Sequence, residues 1–379
     1  MKKRHAIVPL ANARMTGVHI PRGARYTCRG FMIDGLLYMV QFMPVLAIGF
    51  AAAYGFTPIT KRLALYWNIV DQPSARKIHR EPIPLLGGVA ILGAFLFATL
   101  IFAFFAGTPQ YLREFGAVSA GTVWLAMVGY VDDRKGMEPR VKFSAQIIAA
   151  LLLMLAGIRT QLFAYPILDY ALTIFWVVGI TNAMNLMDNM DGLAAGIAGI
   201  AAGSFFILAA SQELSLVGSL AAALCGASFG FLRYNFNPAS TFMGDTGSLV
   251  IGFILAVLGI KLDFQTQTKL VSWAIPILVL GIPILDTSLV TFTRLREGRS
   301  PFQGGQDHTS HRIASLGFSQ RRTVVIMYAA GITLGGLALI ISRSSVAVAL
   351  GIIVSTGLVG TALFIVLEHI YKNSKQRVV

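Results

Sequence analysis

Charged residues are scarce in this chain of 379 residues: they make up 13%, against 55% hydrophobic residues, and the mean hydropathy is +0.69. Soluble domains carry about one quarter charged residues, so a soluble globular protein is excluded. Cysteine is nearly absent too, and Cys28 and Cys225 have neither disulfide nor metal-site spacing. Acids are few, 17 against 31 bases. The net charge is therefore +14. In an apolar chain, basic residues indicate first which side of the membrane the loops face. We exclude nucleic acid as a partner.

Long apolar runs recur along almost the whole chain. A membrane-spanning helix needs about 20 mostly apolar residues. On this criterion we predict an all-α polytopic membrane protein with 10 to 11 spans, near 36–58, 85–107, 116–131, 143–158, 170–187, 193–211, 214–232, 247–262, 270–292, 323–342 and 345–367. Gly, Ala and Ser are frequent in these runs, as expected where helices pack closely in lipid.

Basic residues separate the loops into two sides. The loops of one side hold 19 Lys and Arg, and those of the other hold 5. By the positive-inside rule the richer side is cytoplasmic, which predicts a multi-pass protein of the cytoplasmic membrane.

Seven further basic residues lie in an N-terminal tail, 1–31. Eleven spans would place this tail on the side opposite to the cytoplasm, which contradicts the positive-inside rule. No apolar stretch of adequate length follows the early charges, so the tail is not a good signal peptide. Either the tail is tolerated outside, or a span is miscounted, or translation starts near Met32, which we favour. We therefore predict a single catalytic domain over 32–368 and a cytoplasmic tail at 369–379.

Acidic residues cluster at one set of predicted helix ends. Asp132 and Asp133 follow the third span, Asp188 and Asp191 follow the fifth, and Asp245 precedes the eighth. Burying adjacent carboxylates is costly unless a cation or hydrogen bonds compensate. A single acid would equally well cap a helix or pair with a loop Arg, but this explanation does not extend to three clusters on one face. The cluster predicts a divalent cation, Mg²⁺ or Mn²⁺.

Polar residues step by three along the end of the fifth span: Asn182, Asn185, Asp188 and Asp191. On a continuing helix these side chains form one stripe, before Gly192 permits a turn. Such a stripe is typical of hydrogen bonding between membrane helices. Its two carboxylates favour a cavity wall instead.

Asp245 lies between two glycines at the start of the eighth span. Asp is a good helix N-cap, which is one interpretation. The other is functional: the glycines admit a phosphate to backbone N–H groups while Asp245 holds the metal.

Two loops on the basic side carry further candidates. The loop 71–84 has Lys and Arg that can meet phosphates, although alone it is an ordinary basic loop. The loop 294–322 contains His308 and His311, whose spacing predicts a shared face that contacts a phosphate or leaving group, or else binds zinc. Without a nearby cysteine, zinc is the weaker alternative. We expect His311 and Arg312 among the substrate contacts.

Five motifs occur in order between about 70 and 322: RKIHREPIPLLGG from Arg76, GYVDD ending at Asp133, NAMNLMDNMDGLA from Asn182, NFNPASTFMGDTGSL from Asn235, and DHTSHR from Asp307. Together they make the sequence similar to the polyprenyl-phosphate N-acetylhexosamine-1-phosphate transferase superfamily, which includes phospho-MurNAc-pentapeptide translocase.

The resemblance implies a ten- or eleven-span fold with a cytoplasm-facing cleft and Mg²⁺ dependence. It also implies a reaction, in which the phosphate of a polyprenyl lipid attacks the β-phosphorus of a UDP-HexNAc and UMP is released. By motif position Asp132 and Asp133 resemble the catalytic aspartate pair, Asp133 also as a neighbour of the metal. Asn185 and Asp245 resemble the Mg²⁺ contacts, and His308 resembles the first histidine of a catalytic motif. The positions that resemble the substrate pocket are Lys77, Lys142, Asp188, Asp191 and Asn235.

The histidine motif departs from the family pattern, because Ser310 stands where many members have a second histidine. In the family this loop largely sets the choice of sugar. The segment Ser300, Pro301 and Phe302 is more similar to the GlcNAc-1-phosphate branch than to the muramyl-pentapeptide branch, and we predict GlcNAc-1-phosphate transfer, with the muramyl enzyme as the alternative.

Two other classes of protein were weighed. Asp286, inside the ninth span, fits a secondary transporter, but transporter acids gather near the bilayer midplane, whereas these acids lie at helix ends. A CDP-alcohol phosphotransferase is excluded, because the later acidic residues of its signature are missing. A homodimer is an open alternative, since symmetric dimers are common, although no segment argues for one.

Overall fold

The computed structural model describes residues 38–72, 81–106, 109–262, 264 and 267–376. The helices, numbered in chain order, are α1 (Met43–Tyr66), α2 (Gly87–Phe105), α3 (Leu112–Lys135), α4 (Pro139–Leu155), α5 (Pro166–Met187), α6 (Leu193–Ser211), α7 (Ser215–Asn235), α8 (Gly244–Lys261), α9 (Lys269–Val279), α10 (Gly281–Arg296), α11 (Thr309–Ala314), α12 (Gln320–Arg343) and α13 (Val346–Gln376). Two strands, β1 (Val70–Asp71) and β2 (Ile83–Pro84), form an antiparallel pair. The basic tail 1–31 and Met32 lie outside the described residues, as does Lys77.

Each of the eleven predicted spans overlaps a helix, which confirms an all-α membrane protein. Among the described residues nine helices are long and apolar enough to cross a membrane, and the bent pair of α9 and α10 makes ten. The eleventh predicted span corresponds to α4, whose 17 residues are at the short end of the lengths that cross a bilayer.

The predicted span 270–292 is broken rather than continuous. α9 and α10 meet at an angle of 77°. Pro283 has no N–H to donate to the carbonyl of Val279, so the hydrogen-bond ladder of α9 ends there and a new helix starts at Gly281. The break lets α10 place Asp286 in the interior, where it is buried.

The core consists of α6, α7 and α8. Of the most apolar stretch of these helices 83%, 83% and 78% is buried, against 6% for α13, which is at the periphery. Small residues make the core compact: a Cβ at Gly226 of α7 would lie 2.1 Å from the carbonyl oxygen of Leu46 in α1. Close helix packing of this kind is typical of membrane bundles.

Distant motifs meet where α2 and α8 begin. Gly87 and Gly88 donate their N–H groups to the carbonyls of Phe242 and Met243, at 3.0 and 2.9 Å. In return Phe242 donates its N–H to the carbonyl of Pro84 at 2.8 Å. The end of the first basic loop is thereby fixed against the segment that carries Asp245.

Candidate active site

The N terminus of α8 is capped by an acid from another helix. The Asp133 carboxylate, at the end of α3, accepts the N–H of Asp245 at 2.7 Å and both the N–H and hydroxyl of Thr246, at 3.1 and 2.8 Å. A carboxylate is favoured here because the first N–H groups of a helix have no partner in their own helix. Gly244, with φ of +68°, turns the chain into α8 beside this carboxylate.

Glycines let the neighbouring helices reach this point. A Cβ on Gly129 of α3 would lie 2.5 Å from the backbone carbonyl carbon of Asp245. A Cβ on Gly88 of α2 would lie 2.2 Å from the backbone nitrogen of Gly247. Both distances are too short for any side chain, so glycine is required for α2 and α3 to approach α8.

One lysine links two of the acids. Lys142, at the start of α4, forms ion pairs with Asp132 and with Asp245, the latter at 2.6 Å. Asn185 of α5 donates to the other oxygen of Asp245 at 2.6 Å and to the hydroxyl of Ser248 at 2.9 Å. Residues from α3, α4, α5 and α8 therefore meet, as the sequence predicted.

Asp188 has a different environment, directly after α5. Among the described residues its side chain forms no hydrogen bond or ion pair. Desolvation raises its pKa to about 7, and the negative charges of Asp245, Asp133 and Asp191 add to this effect. We call Asp132, Asp133, Asp188 and Asp245, with Lys142, the acid cluster.

The predicted polar stripe ends early, because α5 stops at Met187. Asp191 therefore departs from it and accepts hydrogen bonds from the side chain of Asn237 and the N–H of Ala239, at 2.9 and 3.0 Å. Gly192 turns the chain as expected, with φ of +79°.

Asn235 is buried at the end of α7 and bonded at both ends of its amide. Its oxygen accepts the N–H of Gly192 at 3.1 Å, and its nitrogen donates to the carbonyl of Thr241 at 3.1 Å. Asn235 and Asp191 thus shape the two loops beside the acid cluster. Their direct contact with a substrate stays a prediction.

His308 is paired with Asp286, which sequence reasoning had connected only with the transporter alternative. Nδ1 of His308 lies 2.9 Å from Oδ2 of Asp286, and the other oxygen of Asp286 accepts the N–H of Thr309 at 2.6 Å. Since the carboxylate accepts, Nδ1 carries the proton and Nε2 is left for other contacts. The available signal was an acid inside an apolar run, which requires a partner.

His311 and Ser310 of the histidine motif have different surroundings. His311 is half-buried, its ring centroid 6.1 Å from that of His308. Burial lowers its pKa, and the nearby His308 lowers it further. Ser310 donates to Oδ1 of Asn189 at 2.6 Å, which attaches this motif to the loop that carries Asp188.

Arg312 is buried and turned towards the protein. Its three nitrogens donate to the carbonyl of Asp307 at 2.8 Å, to Glu368 at 2.7 Å and to the hydroxyl of Thr293 at 2.7 Å. The guanidinium also lies 4.6 Å from the ring centroid of Tyr371. In this structure Arg312 supports the histidine motif, and its predicted contact with substrate phosphates gains no support.

A second charged group surrounds Arg312. Asp307 accepts from Arg294 through both carboxylate oxygens, at 2.8 and 2.9 Å, and from Arg299 at 2.9 Å. Glu368, on α13, also pairs with Arg296. Lys375, in the predicted tail 369–379, pairs with Glu297 at 2.8 Å, so the end of α13 is attached to this loop. We call this set the arginine network: Arg294, Arg296, Arg299 and Arg312 with Glu297, Asp307 and Glu368.

The acid cluster fits a cation that arrives with a phosphate. No three His, Cys, Asp or Glu side chains among the described residues form a ready-made metal centre. Mg²⁺, however, typically takes one or two carboxylates plus substrate phosphates. Asp245 with the neighbouring acids supplies these oxygens, and the four carboxylates of the acid cluster have one lysine among them, which pairs with Asp132 and Asp245.

Known proteins resemble the chain over this region and beyond. The model of glycosyl transferase family 4 matches residues 115–263. A probable undecaprenyl-phosphate N-acetylglucosaminyl 1-phosphate transferase of Bacillus subtilis is 32% identical over 324 residues, which are 83% of this chain and 89% of that protein. A decaprenyl-phosphate N-acetylglucosaminephosphotransferase of Mycobacterium tuberculosis is 33% identical over 82% of this chain and 86% of its own.

A phospho-N-acetylmuramoyl-pentapeptide-transferase of Bacillus mycoides is less similar, at 28% identity over 76% of this chain and 92% of that protein. These relatives cover 76% to 83% of the chain, and they confirm the resemblance drawn from the five motifs. The chain belongs to glycosyl transferase family 4, among the polyprenyl-phosphate N-acetylhexosamine-1-phosphate transferases.

Proposed function

We propose that this chain transfers GlcNAc-1-phosphate from UDP-GlcNAc to a polyprenyl phosphate in the membrane. The products are polyprenyl-pyrophosphoryl-GlcNAc and UMP, which makes this a first membrane step of cell-wall or surface polysaccharide synthesis. The names of the relatives from Bacillus subtilis and Mycobacterium tuberculosis support this choice of sugar. The active site faces the cytoplasm of the plasma membrane, because the acid cluster belongs to the side with 19 basic loop residues.

The observation that carries the proposal is the excess of carboxylates at the N terminus of α8. Both substrates are polyanions, so the reaction is mainly a matter of positioning and charge neutralisation. An oxygen of the lipid phosphate bonds to the β-phosphorus while the bond from that phosphorus to the bridging oxygen breaks, and UMP leaves with this oxygen. Lys142 offers a positive charge between Asp132 and Asp245, where the phosphates would meet.

Among the acids Asp132 is the best candidate for contact with the attacking phosphate. Its partner is the ammonium of Lys142, which it shares with Asp245. Asp133, by contrast, uses both oxygens to cap α8, which makes it the residue that positions Asp245. Oδ1 of Asp133 accepts only one hydrogen bond and retains a lone pair, so the predicted role beside the metal is compatible with the cap.

The proposed cofactor is Mg²⁺, with Mn²⁺ as an alternative. Asp245, the amide oxygen of Asn185 and Asp133 are the residues that would hold it, as predicted from the motifs. When bound, the cation would lower the repulsion between the attacking phosphate and the diphosphate. The support is the chemistry of the donors, all hard oxygens.

His308 completes the site. Asp286 fixes its Nδ1 proton and so orients the ring, which leaves Nε2 to meet a substrate phosphate or the leaving UMP. The same pair accounts for Asp286 without a transport pathway. The half-buried His311 stays a candidate for a substrate contact, and so does Lys77.

The test is UMP release by the purified protein with polyprenyl phosphate and Mg²⁺, comparing UDP-GlcNAc with UDP-MurNAc-pentapeptide and with a reaction that lacks lipid. We expect lipid-dependent release from UDP-GlcNAc, abolished by EDTA. Release from the pentapeptide donor alone would favour the muramyl enzyme, named in the relative from Bacillus mycoides. Release without lipid would contradict the transfer, and tracer uptake into proteoliposomes without polyprenyl phosphate would favour a transporter. The mass of the particle in native nanodiscs decides between a monomer and the homodimer that the sequence leaves open.

A further inference from the structure

A cavity of about 410 Å³ lies at the helix ends opposite to the acid cluster. Its walls come from the end of α8, the first half of α9 and the turn after α4, and they include Lys261, Lys269 and Arg159. Asp245 and Lys261 stand at opposite ends of α8. At 1.5 Å per residue they are roughly 24 Å apart, so the cavity is separate from the candidate active site.

The cavity gathers positive charge on the side that has little of it. Of the five basic residues that the sequence gives to the loops of this side, Arg159, Lys261 and Lys269 all line the cavity. Lys261 pairs with Glu114 at 2.8 Å. Neither Arg159 nor Lys269 forms an ion pair with an acid among the described residues, and Asp263 lies outside them.

Arg159 is held in place by its surroundings. Its Nη1 donates to the hydroxyl of Tyr170 at 2.5 Å, and its guanidinium lies 5.0 Å from the centroid of that ring. The turn that carries it is fixed by the buried Asp169, whose Oδ1 accepts the N–H groups of Leu162 and Phe163 at 2.9 and 3.0 Å. Because Asp169 is engaged in this turn, the cation is held in position and no acid among the described residues neutralises it.

A second, independent feature is an acceptor without a donor. Gln267, which also lines the cavity, donates its Nε2 to the carbonyl of Ser344 at 3.0 Å. Its Oε1 is buried and has no hydrogen-bond partner among the described residues. An unsatisfied buried acceptor costs about 1–3 kcal/mol. Oε1 is closed off from the cavity, so a ligand reaches it only after the Gln267 side chain rotates, and a hydroxyl or ammonium donor beside the negative charge would favour this rotation.

We propose that this cavity binds the headgroup of an anionic phospholipid, with the phosphate on Arg159 and Lys269 and a headgroup hydroxyl on Oε1 of Gln267. Basic residues close to a bilayer surface attract the phosphates of anionic lipids, and the volume is within the range of small-molecule sites. Trp273 lines the cavity and packs against Trp176 with centroids 5.5 Å apart. Tryptophan concentrates at the level of lipid headgroups, which places the cavity beside the phosphates of one leaflet.

The experiment is native mass spectrometry of the full chain, purified in a neutral detergent and titrated with phosphatidylglycerol or with phosphatidylcholine of the same acyl chains. We expect the wild type to retain phosphatidylglycerol about tenfold better, and the Arg159→Gln/Lys269→Gln variant to lose this preference. The matched control, Arg113→Gln/Arg343→Gln, removes two charges from the same side outside the cavity and should keep it. Equal retention by both variants would overturn the proposal.

Two further arms identify the ligand. Gln267→Leu should weaken retention of phosphatidylglycerol but not of phosphatidic acid, which has no glycerol hydroxyls in its headgroup. If inorganic phosphate or glycerophosphate displaces the lipid at millimolar concentration, the site recognises a soluble anion and the lipid assignment is wrong. Lys269 is exposed at the start of α9, so Lys269→Gln alone carries the test if the double variant does not fold. None of these measurements depends on UMP release.

Discussion

The acid cluster and the arginine network lie side by side, joined by the hydrogen bond from Ser310 to Asn189, but their charges are compensated in opposite ways. In the arginine network three carboxylates meet four guanidinium groups, and Asp307 alone accepts three hydrogen bonds from arginine. In the acid cluster four carboxylates meet one lysine. A buried charge is costly unless it is paired, so the carboxylates of the arginine network are compensated within the protein, whereas the acid cluster has an excess of negative charge, which agrees with the proposed cation.

The pKa values of two aspartates just outside the membrane spans show this difference in charge compensation. Burial alone would raise the pKa of Asp307, but the hydrogen bonds and charge of Arg294, with those of Arg299, outweigh it and hold the pKa at about 2. Desolvation and three neighbouring acids raise the pKa of Asp188 to about 7. The same side chain is therefore ionised at any pH well above 2 in one region, whereas in the other it is ionised only in part at neutral pH.

Removing a carboxylate from the acid cluster should have the largest effect. We expect Asp245→Asn to reduce UMP release about 10²- to 10³-fold, as is typical when a group that stabilises charge in the transition state is lost. Asp132→Asn and Asp133→Asn should reduce it comparably. The matched control is Glu138→Gln, an exposed acid at the start of α4 with no cap hydrogen bond, which should keep full activity. All variants are compared at equal amounts of membrane protein. Near-normal activity in the three Asp variants would remove the acid cluster from the reaction.

The pair of His308 and Asp286 should come next. Asp286→Asn keeps the shape of the side chain but loses one charge-assisted hydrogen bond, so we expect kcat to fall roughly 10- to 100-fold. KM for UDP-GlcNAc and the melting temperature should change little. In a double-mutant cycle, Asp286→Asn should cost almost nothing in a His308→Gln background, because it acts through that ring. Independent, multiplying losses would show that Asp286 has only a structural role.

A smaller effect is expected where geometry, not charge, is changed. Gly129→Ala places a methyl group against the backbone of Asp245 and should push α3 away from α8, at a cost of about 1–3 kcal/mol in stability and about tenfold in activity. Gly116→Ala, earlier on α3, meets open space and should have no such effect. Melting temperature and UMP release of the two variants in the same detergent test this. Equal behaviour would mean that the close approach of α3 does not position the acid cluster.

The two regions also differ in how far the sequence predicted them. The eleven spans and the grouping of Asp132, Asp188 and Asp245 were predictable because apolar length and helix direction are local properties. The break at Pro283 carried a signal that was not used, since a proline interrupts the ladder of a helix. The hydrogen-bond partners of Asp133 and Glu368 were not predictable. These partners are 112 and 56 positions away in the sequence, respectively, and the hydrogen bonds form only when the helices pack.

The smallest expected effect is on stability, and it tests the comparison most directly. The contributions of Asp307 and Asp188 to stability should change with pH in opposite directions. An unfolded Asp has a pKa of about 4. The pKa of Asp307 is lower than this in the folded protein. Its contribution to stability is therefore present above pH 4 and is lost as the pH falls towards 2. The pKa of Asp188 is higher in the folded protein than in the unfolded chain. Without metal, Asp188 therefore lowers the stability as the pH rises from 4 to 7.

Melting temperatures in EDTA, measured from pH 3 to pH 8, test this contrast. Asp188→Asn should gain a few degrees over the wild type at pH 8 and nothing at pH 4, whereas Asp307→Asn should lose a few degrees at pH 8 and less at pH 3. Addition of Mg²⁺ should remove the gain of Asp188→Asn, because a bound cation stabilises the ionised carboxylate that the variant lacks. If Asp188→Asn gains the same stability with and without Mg²⁺, the excess negative charge of the acid cluster is not there to receive a cation, and the distinction between the two regions is one of burial alone.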